Sequence, residues 1–472
     1  MIPDRFRPVL AEVEPLTERF AAAGHRLYLV GGTVRDLLLG DVDVDGLDFD
    51  FTTDARPAQI KAVLAGFADA IWTQGERFGT IGAKRGERIY EITTHRADSY
   101  QDDSRKPDVE FADAVEADLS RRDFTINALA LELTASSPTL VDPHGGAVDL
   151  MTRTLRTPLA PEISFSDDPL RMLRAARFIA RLDMKPDPAL VAAVEAMHSH
   201  LEIVSAERIR DELDKLIVVD HPTAGLWFTI DTGLAGEFLP ELPAMRLEQD
   251  PIHRHKDVLT HTLAVVENVR RPDATSHVPA PFDFRVTRLA ALFHDVGKPR
   301  TRGYQQGKGV TFHHHDAVGA RMTRKRMEAL RYSNEDVAAV VELVALHLRF
   351  HTYQMGWTDS AVRRYVRDAG PLLAELNVLT RCDCTTRNER KAAQLSRRMD
   401  DLEERIADLQ SREELAAIRP ELDGNAVMEL LGVPPGRVVG EALAFLLEIR
   451  LDEGLLGEEE IRRRLQEWWQ AR

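Results

Sequence analysis

Cysteine is almost absent from this chain: 472 residues carry two, Cys382 and Cys384, with one residue between them. So close a pair cannot frame a disulfide-stapled domain, and ordinary buried thiols are expected. Long apolar runs are absent too. None approaches the roughly 18 residues that a membrane-crossing helix needs, which argues against a membrane partner. An excess of positive charge is also missing: 61 Lys and Arg stand against 77 Asp and Glu, a net charge of −16. That excludes a surface coated in basic residues, so any nucleic-acid site must be a local patch. The opening "MIPDRFRPVL" has no apolar core of the kind a secretory leader carries, and a cytoplasmic location is expected. No internal repeat or low-complexity tract is visible.

What is present fits a folded chain of two to four domains, with 44% apolar and 29% charged residues. Up to about residue 150, apolar strands alternate with turns and helical stretches. "LYLVGG" reads as a strand and a glycine turn, "VRDLLLG" as a short helix closed by Gly40, and "LDFDFTT" as a second strand. "PAQIKAVLAGFA" (57–68) reads as a helix and "GTIGAKRGERIYEITT" (79–94) as a hairpin. Beyond about 160, strand signals nearly vanish and helical spacing continues to the end, with polar breaks near 270–283, 300–312 and 418–425. The expected organisation is an α/β head at 1–150, a helical neck at 151–245, a second helical domain at 246–400 and a helical tail at 401–472.

"GLDFDFTT" sets Asp48 and Asp50 on the same face of a strand, because side chains alternate with period two. Two carboxylates side by side repel one another. A calcium loop starting at Asp41 would need Glu at its twelfth position, and that residue is Thr52. A solvated acidic loop is the bland alternative. The sharper reading is a site for two divalent cations, completed by Glu91 of "RIYEITT". "VGGTVRD" would supply the phosphate cradle: Gly31 and Gly32 allow close backbone approach, and the next helix offers its N–H groups and Arg35.

These residues resemble the nucleotidyltransferase superfamily that includes DNA polymerase β, and more narrowly the class II CCA-adding enzyme and bacterial poly(A) polymerase family. That family's head carries a "GGxVRD" segment followed by an Asp-x-Asp strand. Further segments match in family order: "RRDFTINALA" (121–130), "VDPHGGAVDL" (141–150), "SDDPLRMLRAARF" (166–178) and "SAERIRDEL" (205–213). The resemblance spans about residues 25–215. It implies a polymerase β-like α/β head followed by all-helical neck, body and tail.

The helix expected from Asp168 also has a chemical reading. Asp168 and Arg171 are three apart and would share one helix face. A carboxylate accepts and a guanidinium donates. Cytosine and adenine each present an amino donor beside a ring acceptor, whereas uracil and guanine present the opposite pattern. One fixed Asp–Arg pair could therefore admit C and A without a template. A salt-bridged solvated face is the competing reading. The resemblance implies the base-reading use, with the family's Glu-Asp-x-x-Arg appearing as Asp167, Asp168 and Arg171. It also implies nucleotide contacts for Arg122, Asp123, Arg174 and Arg177. The polar stretch 98–111 resembles the family's flexible head loop.

The helical half scatters His261, His294, Asp295, His315, His347 and Asp383 over a long span. A core histidine is usually just a satisfied one. This set, however, resembles the HD phosphohydrolase superfamily, which implies a bound divalent metal at those six residues; His315 was preferred over His314 on spacing. The tail resembles that of the same CCA-adding family, with "GVPPGRVVGEAL" offering a glycine turn before a helix, and Trp468 and Trp469 read as packing residues.

The expected function is template-independent transfer of C, C and A from CTP and ATP to tRNA 3′ ends, with Mg²⁺ at Asp48, Asp50 and Glu91. A poly(A) polymerase shares the head motifs. A metal-dependent phosphohydrolase using the head as an RNA-specificity module is a second alternative. A non-catalytic RNA binder is disfavoured, since a binder does not need paired metal carboxylates.

Overall fold

The computed structural model describes residues 3–40, 49–99, 108–247, 257–272, 281–306, 309–352, 357–385, 389–413 and 418–472. These form two compact units, Met1–Phe238 and Leu239–Arg472.

The first unit begins with α1 (Arg7–Ala22), β1 (Leu27–Val30), α2 (Gly32–Leu39), β2 (Phe49–Thr53), α3 (Pro57–Leu64), β3 (Ala70–Trp72), β4 (Thr80–Arg85) and β5 (Arg88–Thr94). There follow β6 (Arg96–Ser99), β7 (Asp108–Phe111), α4 (Val115–Ser120), β8 (Ala130–Glu132) and β9 (Thr139–Val141). Seven strands make one sheet in the order β3-β4-β5-β2-β1-β8-β9, while β6 and β7 pair separately. Within the large sheet only β2 and β5 run parallel.

Strand alternation divides the sheet into two faces. Leu27, Leu29, Phe49, Phe51, Tyr90, Ile92, Ile81 and Ala83 point into the main core. There they meet Val9, Val13, Leu16 and Phe20, the apolar stripe of α1. On the other face Tyr28, Val30 and Ala130 are covered by Val115 and Leu119 of α4. The β2–β5 part of that second face stays exposed at Asp50 and Glu91. Helix α3 stops at Leu64, short of the expected 57–68: Ala65 turns extended and Gly66 is left-handed, at φ +72°.

The unit continues with α5 (Gly146–Thr152), β10 (Thr154–Leu155), α6 (Pro161–Asp167), α7 (Leu170–Leu182), β11 (Lys185–Pro186), α8 (Pro188–Met197), α9 (Ala206–Ile217), α10 (Thr223–Asp231) and α11 (Ala235–Phe238). Helix α7 does not begin at Asp168. Pro169 forces its predecessor out of the helical region, and Asp168 sits extended at φ −148°, ψ 99°. A Cβ on Gly225 of α10 would lie 2.3 Å from the Ala176 carbonyl of α7, so glycine lets those helices approach.

The second unit holds α12 (Glu241–Ala244), α13 (Val258–Asn268), α14 (Phe284–Phe293), α15 (Lys298–Thr301), β12 (Arg302–Gln305), β13 (Gly309–Phe312), α16 (His315–Ala329), α17 (Asn334–Leu346), α18 (Asp359–Ala369), α19 (Leu373–Asp383) and α20 (Glu389–Arg412). The polar break expected at 300–312 is thus in part a hairpin, with Tyr304 paired to Val310. Helices α21 (Gly424–Leu431), α22 (Arg437–Glu453) and α23 (Glu458–Gln470) build a small core of their own around Val427, Leu446 and Leu465. Trp468 stacks on Phe445 against that core, at 5.3 Å between centroids. No helix among the described residues is long and apolar enough to cross a membrane.

Gly225→Ala should push α10 off α7. We expect a loss of about 1–3 kcal/mol, typical of overpacking, read as a lower midpoint in thermal denaturation.

Candidate active site and metal centre

Asp50 and Glu91 are register partners across the parallel β2–β5 pair, so both carboxylates leave the sheet on the exposed face, one strand apart. Asp48, expected beside them, lies outside the described residues. Gly31 follows β1, the other neighbour of β2, with a left-handed φ of +74°. A side chain there would be strained, and its Cβ would sit 3.9 Å from Asp50 Oδ2. Helix α2 starts at the next residue, Gly32, and its first N–H groups lack intrahelical acceptors.

Two cations border this turn: the expected Arg35, whose Nη2 lies 3.4 Å from where a Gly32 Cβ would be, and Arg122. Arg35 is buried: its guanidinium donates to both carboxylate oxygens of Asp36 (2.8 and 2.9 Å) and to Asn127 Oδ1 (2.6 Å), and it lies over the Phe178 ring. It ties α2 to α7 while bordering the turn at Gly32. Arg122 stands at the other glycine, its Nη1 3.1 Å from where a Gly31 Cβ would be. Asp118, fully buried, holds Arg122 at 3.4 Å and Arg121 at 2.7 Å. Burial would raise the Asp118 carboxyl, but these two arginines keep it below its ordinary range.

The expected base-reading residues gather around α7, though not as one Asp–Arg pair. The Asp168 carboxylate accepts from Arg208 of α9 (2.8 Å) and from the Leu170 N–H. Arg171 donates to Ser164 Oγ (2.8 Å) and to the Arg121 carbonyl (2.6 Å). Separate supports therefore hold the acceptor and the donor. Arg174 pairs with buried Asp123 at 2.7 Å, and Arg177 with Glu212 at 2.8 Å. Burial pushes the Asp123 carboxyl up, yet Arg174, the Asn127 amide and Arg171 bring it below the usual carboxylate value. Burial likewise lowers Arg177 against the pull of Glu212. Arg208, Ser164, Asn127 and Glu212 were not anticipated as partners. Arg208 and Glu212 lie in "SAERIRDEL" and Asn127 in "RRDFTINALA", both already singled out; Ser164 lies in neither.

In the second unit the six scattered residues meet. His261, His294 and Asp383 have ligand atoms within 4.8 Å of one another, as do Asp295, His315 and His347. The nitrogens face inward: His294 Nε2 lies 3.3 Å from His261 Nε2, and His315 Nε2 lies 3.2 Å from His347 Nε2. Asp295 spans the groups, with Oδ2 3.3 Å from His294 Nε2 and Oδ1 3.4 Å from His315 Nε2. Three rings share one device. The Nδ1 atoms of His294, His315 and His347 donate to the carbonyls of Ala291, Phe312 and Val344, three residues earlier in each case. A carbonyl only accepts, so Nδ1 carries the proton and Nε2 keeps its lone pair. Thr385 holds His261 Nδ1, and Lys298 donates to Asp295 at 2.6 Å. Lys298 follows three residues after Asp295, the one signal by which it could have been found.

Burial takes His347 down to about 4. For His294, burial also lowers the pKa, but Asp295 and Asp383 outweigh it and the net shift is upward. Asp295 is held far below its ordinary value, despite burial, by His294, His315 and Lys298. Three inward lone pairs, the His261 imidazole and two ionised carboxylates form a donor set suited to divalent cations.

Residues 27–156 match the Poly A polymerase head domain, residues 183–245 the "Probable RNA and SrmB- binding site of polymerase A", and residues 258–412 the HD domain. The A-adding tRNA nucleotidyltransferase of Deinococcus radiodurans is 34% identical over 451 residues, 93% of this chain and 95% of that protein. The CCA-adding enzyme of Lactobacillus helveticus is 38% identical over 233 residues, 49% of this chain and 56% of that protein. The solved Bacillus stearothermophilus CCA-adding enzyme in complex with CTP shares the fold, with a TM-score of 0.67 at 24% identity over 99% of this chain and 98% of that one.

Arg174→Met should leave Asp123 buried without its cation, at a cost of about 3–5 kcal/mol near neutral pH. A depressed carboxyl stabilises above its unfolded pKa and loses that contribution as pH falls through its folded pKa. In the variant the Asp123 pKa rises, so mild acid neutralises the stranded charge. The gap from wild type should therefore narrow between about pH 7 and about pH 4.5 in chemical denaturation.

Proposed function

Because this chain belongs to the tRNA nucleotidyltransferase and poly(A) polymerase family, we propose that it rebuilds tRNA 3′ ends without a template, adding C, C and A from CTP and ATP. The observation that carries the reading is Asp50 beside Glu91 on an open sheet face, next to the glycine turn. Two like charges in adjacent register positions fit a cation site, and an all-carboxylate set with Asp48 suits Mg²⁺. When bound, Mg²⁺ supplies charge neutralisation at the reacting phosphate and lowers the pKa of the attacking hydroxyl.

The protein's own groups position the reactants. The Gly31 turn and the N–H groups at the start of α2 receive the triphosphate, with Arg122 as a neighbouring positive charge. The tRNA 3′-hydroxyl attacks the α-phosphorus; a new P–O bond forms and pyrophosphate leaves. Asp168 accepts from the base amino group while Arg171 donates to the ring nitrogen. Arg208, Ser164 and the Arg121 carbonyl keep both from swinging away. A wrong base leaves a buried donor or acceptor unmatched, at about 1–3 kcal/mol.

A second reading of specificity has its own support: one relative matched over nearly the whole chain is named an A-adding tRNA nucleotidyltransferase. Purified protein with Mg²⁺ should extend tRNA lacking its whole 3′ end by C, C and then A, and stop. Extension only of tRNA already ending in CC, and only by A, would establish the A-adding reading instead. Open-ended adenylation of any RNA would point to a poly(A) polymerase. Asp50→Ala should cut incorporation by at least about a hundredfold; a rate within a few-fold of wild type would remove the carboxylate site.

The second unit's centre would hold divalent metal on His261, His294, Asp295, His315, His347 and Asp383. Metal there supplies activated water for hydrolysing a phosphate ester, an activity that would stand beside nucleotidyl transfer. His294→Ala should lower the metal that copurifies with the chain. Unchanged content by elemental analysis would remove this site.

A further inference from the structure

Four residues lie in one row across the exposed part of the head sheet. Asp50 of β2 is the register partner of Glu91 of β5, Glu91 of Gly82 in β4, and Gly82 of Trp72 in β3. Neighbouring strands are about 4.8 Å apart, so the row runs from the carboxylates to the tryptophan in three short steps. The indole does not stand away from the sheet. A Cβ built on Gly82 would fall 1.9 Å from Trp72 Nε1 and 2.2 Å from Cε2. The ring therefore occupies the place of the missing Gly82 side chain, on the face shared with Glu91 and Asp50, and remains half-exposed.

The row has a direction. The glycine turn that receives the triphosphate follows β1, on the opposite side of β2 from β5. In an in-line displacement the nucleophile enters opposite the leaving group. With pyrophosphate departing on the β1 side, the RNA end must arrive over Glu91, Gly82 and Trp72. We propose that Trp72 is the positioning residue for the RNA: its indole stacks the terminal base whose 3′-hydroxyl is to react.

Stacking suits this task chemically. The terminal base changes after each addition, so hydrogen bonds to one base edge would serve one step and hinder the next. Every base has a π-face, and stacking accepts them all. Lys84, exposed and two residues beyond Gly82 on the same face, adds a positive charge for the RNA backbone. The bland alternative is that the ring merely covers a glycine in an edge pair.

This inference rests on the head being a nucleotidyltransferase, and the experiment keeps the two apart. Steady-state incorporation of CTP into tRNA lacking its 3′ end is measured on the full chain. Trp72→Ala should raise KM for RNA by about tenfold and leave KM for CTP unchanged. Trp72→Phe should restore most of the loss. Gly82→Ala, which keeps the tryptophan but evicts its ring from the row, should reproduce the defect. KM for RNA within twofold of wild type in Trp72→Ala, or a rise falling on CTP instead, would overturn the proposal. Should Trp72→Ala fail to fold, tryptophan fluorescence decides. RNA should quench wild type more than Trp72→Phe, and equal quenching overturns the proposal. An inactive wild type would defeat the functional reading alone, because the quenching comparison needs no turnover.

Discussion

One register holds the head together functionally: Phe49–Thr53 beside Arg88–Thr94, the single parallel pairing in a sheet otherwise antiparallel. A shift of β2 by one residue would turn Asp50 into the core and bring Phe51 out, leaving Glu91 without its partner on the exposed face. The core opposes that slip, since Phe49, Phe51 and Tyr90 stack together at about 6 Å between centroids on the buried face. Apolar packing on one side of the sheet thus fixes where charge stands on the other. The repulsion between two adjacent carboxylates is tolerated because the aromatic cluster behind them leaves the strands no alternative alignment.

The neck uses another principle. Its arginines are not free charges on a solvated helix but members of pairs, each with an acid or carbonyl supplied by a different element: Arg171 with Arg121, Arg174 with Asp123, Arg177 with Glu212 and Arg208 with Asp168. Such pairing carries a desolvation cost and contributes little net stability. What it does give is orientation: a guanidinium held at two nitrogens, as Arg171 is, keeps one direction.

Much of this was legible because it is local or periodic. The glycine turn, the alternation of β2, the hairpin carrying Glu91 and the histidine and aspartate set are all written in short segments. What escaped was decided by tertiary partners. Arg35 borders the glycines as its place in the chain suggests, but its hold on Asn127 and Phe178, and the second cation Arg122, come from distant segments. Asp168 and Arg171 have helical spacing, yet Pro169 places Asp168 ahead of the helix. The hairpin at 302–312 was hidden in a polar stretch whose only strand signal is brief. For six metal-ligand candidates spread over five helices and their ends, no sequence rule gave their convergence by geometry; family likeness did.

The placement of Arg122 has a thermodynamic consequence. The glycine turn and the first amides of α2 are contiguous in the chain, but this positive charge beside them comes from a distant segment, held by Asp118 at the end of α4. On the proposed reading, Arg122 joins the triphosphate pocket only when α4 is seated against the sheet. A nucleotide that binds there senses the folded state of the whole head rather than of one loop, so its binding energy adds to the cooperative stability of that fold by mass action.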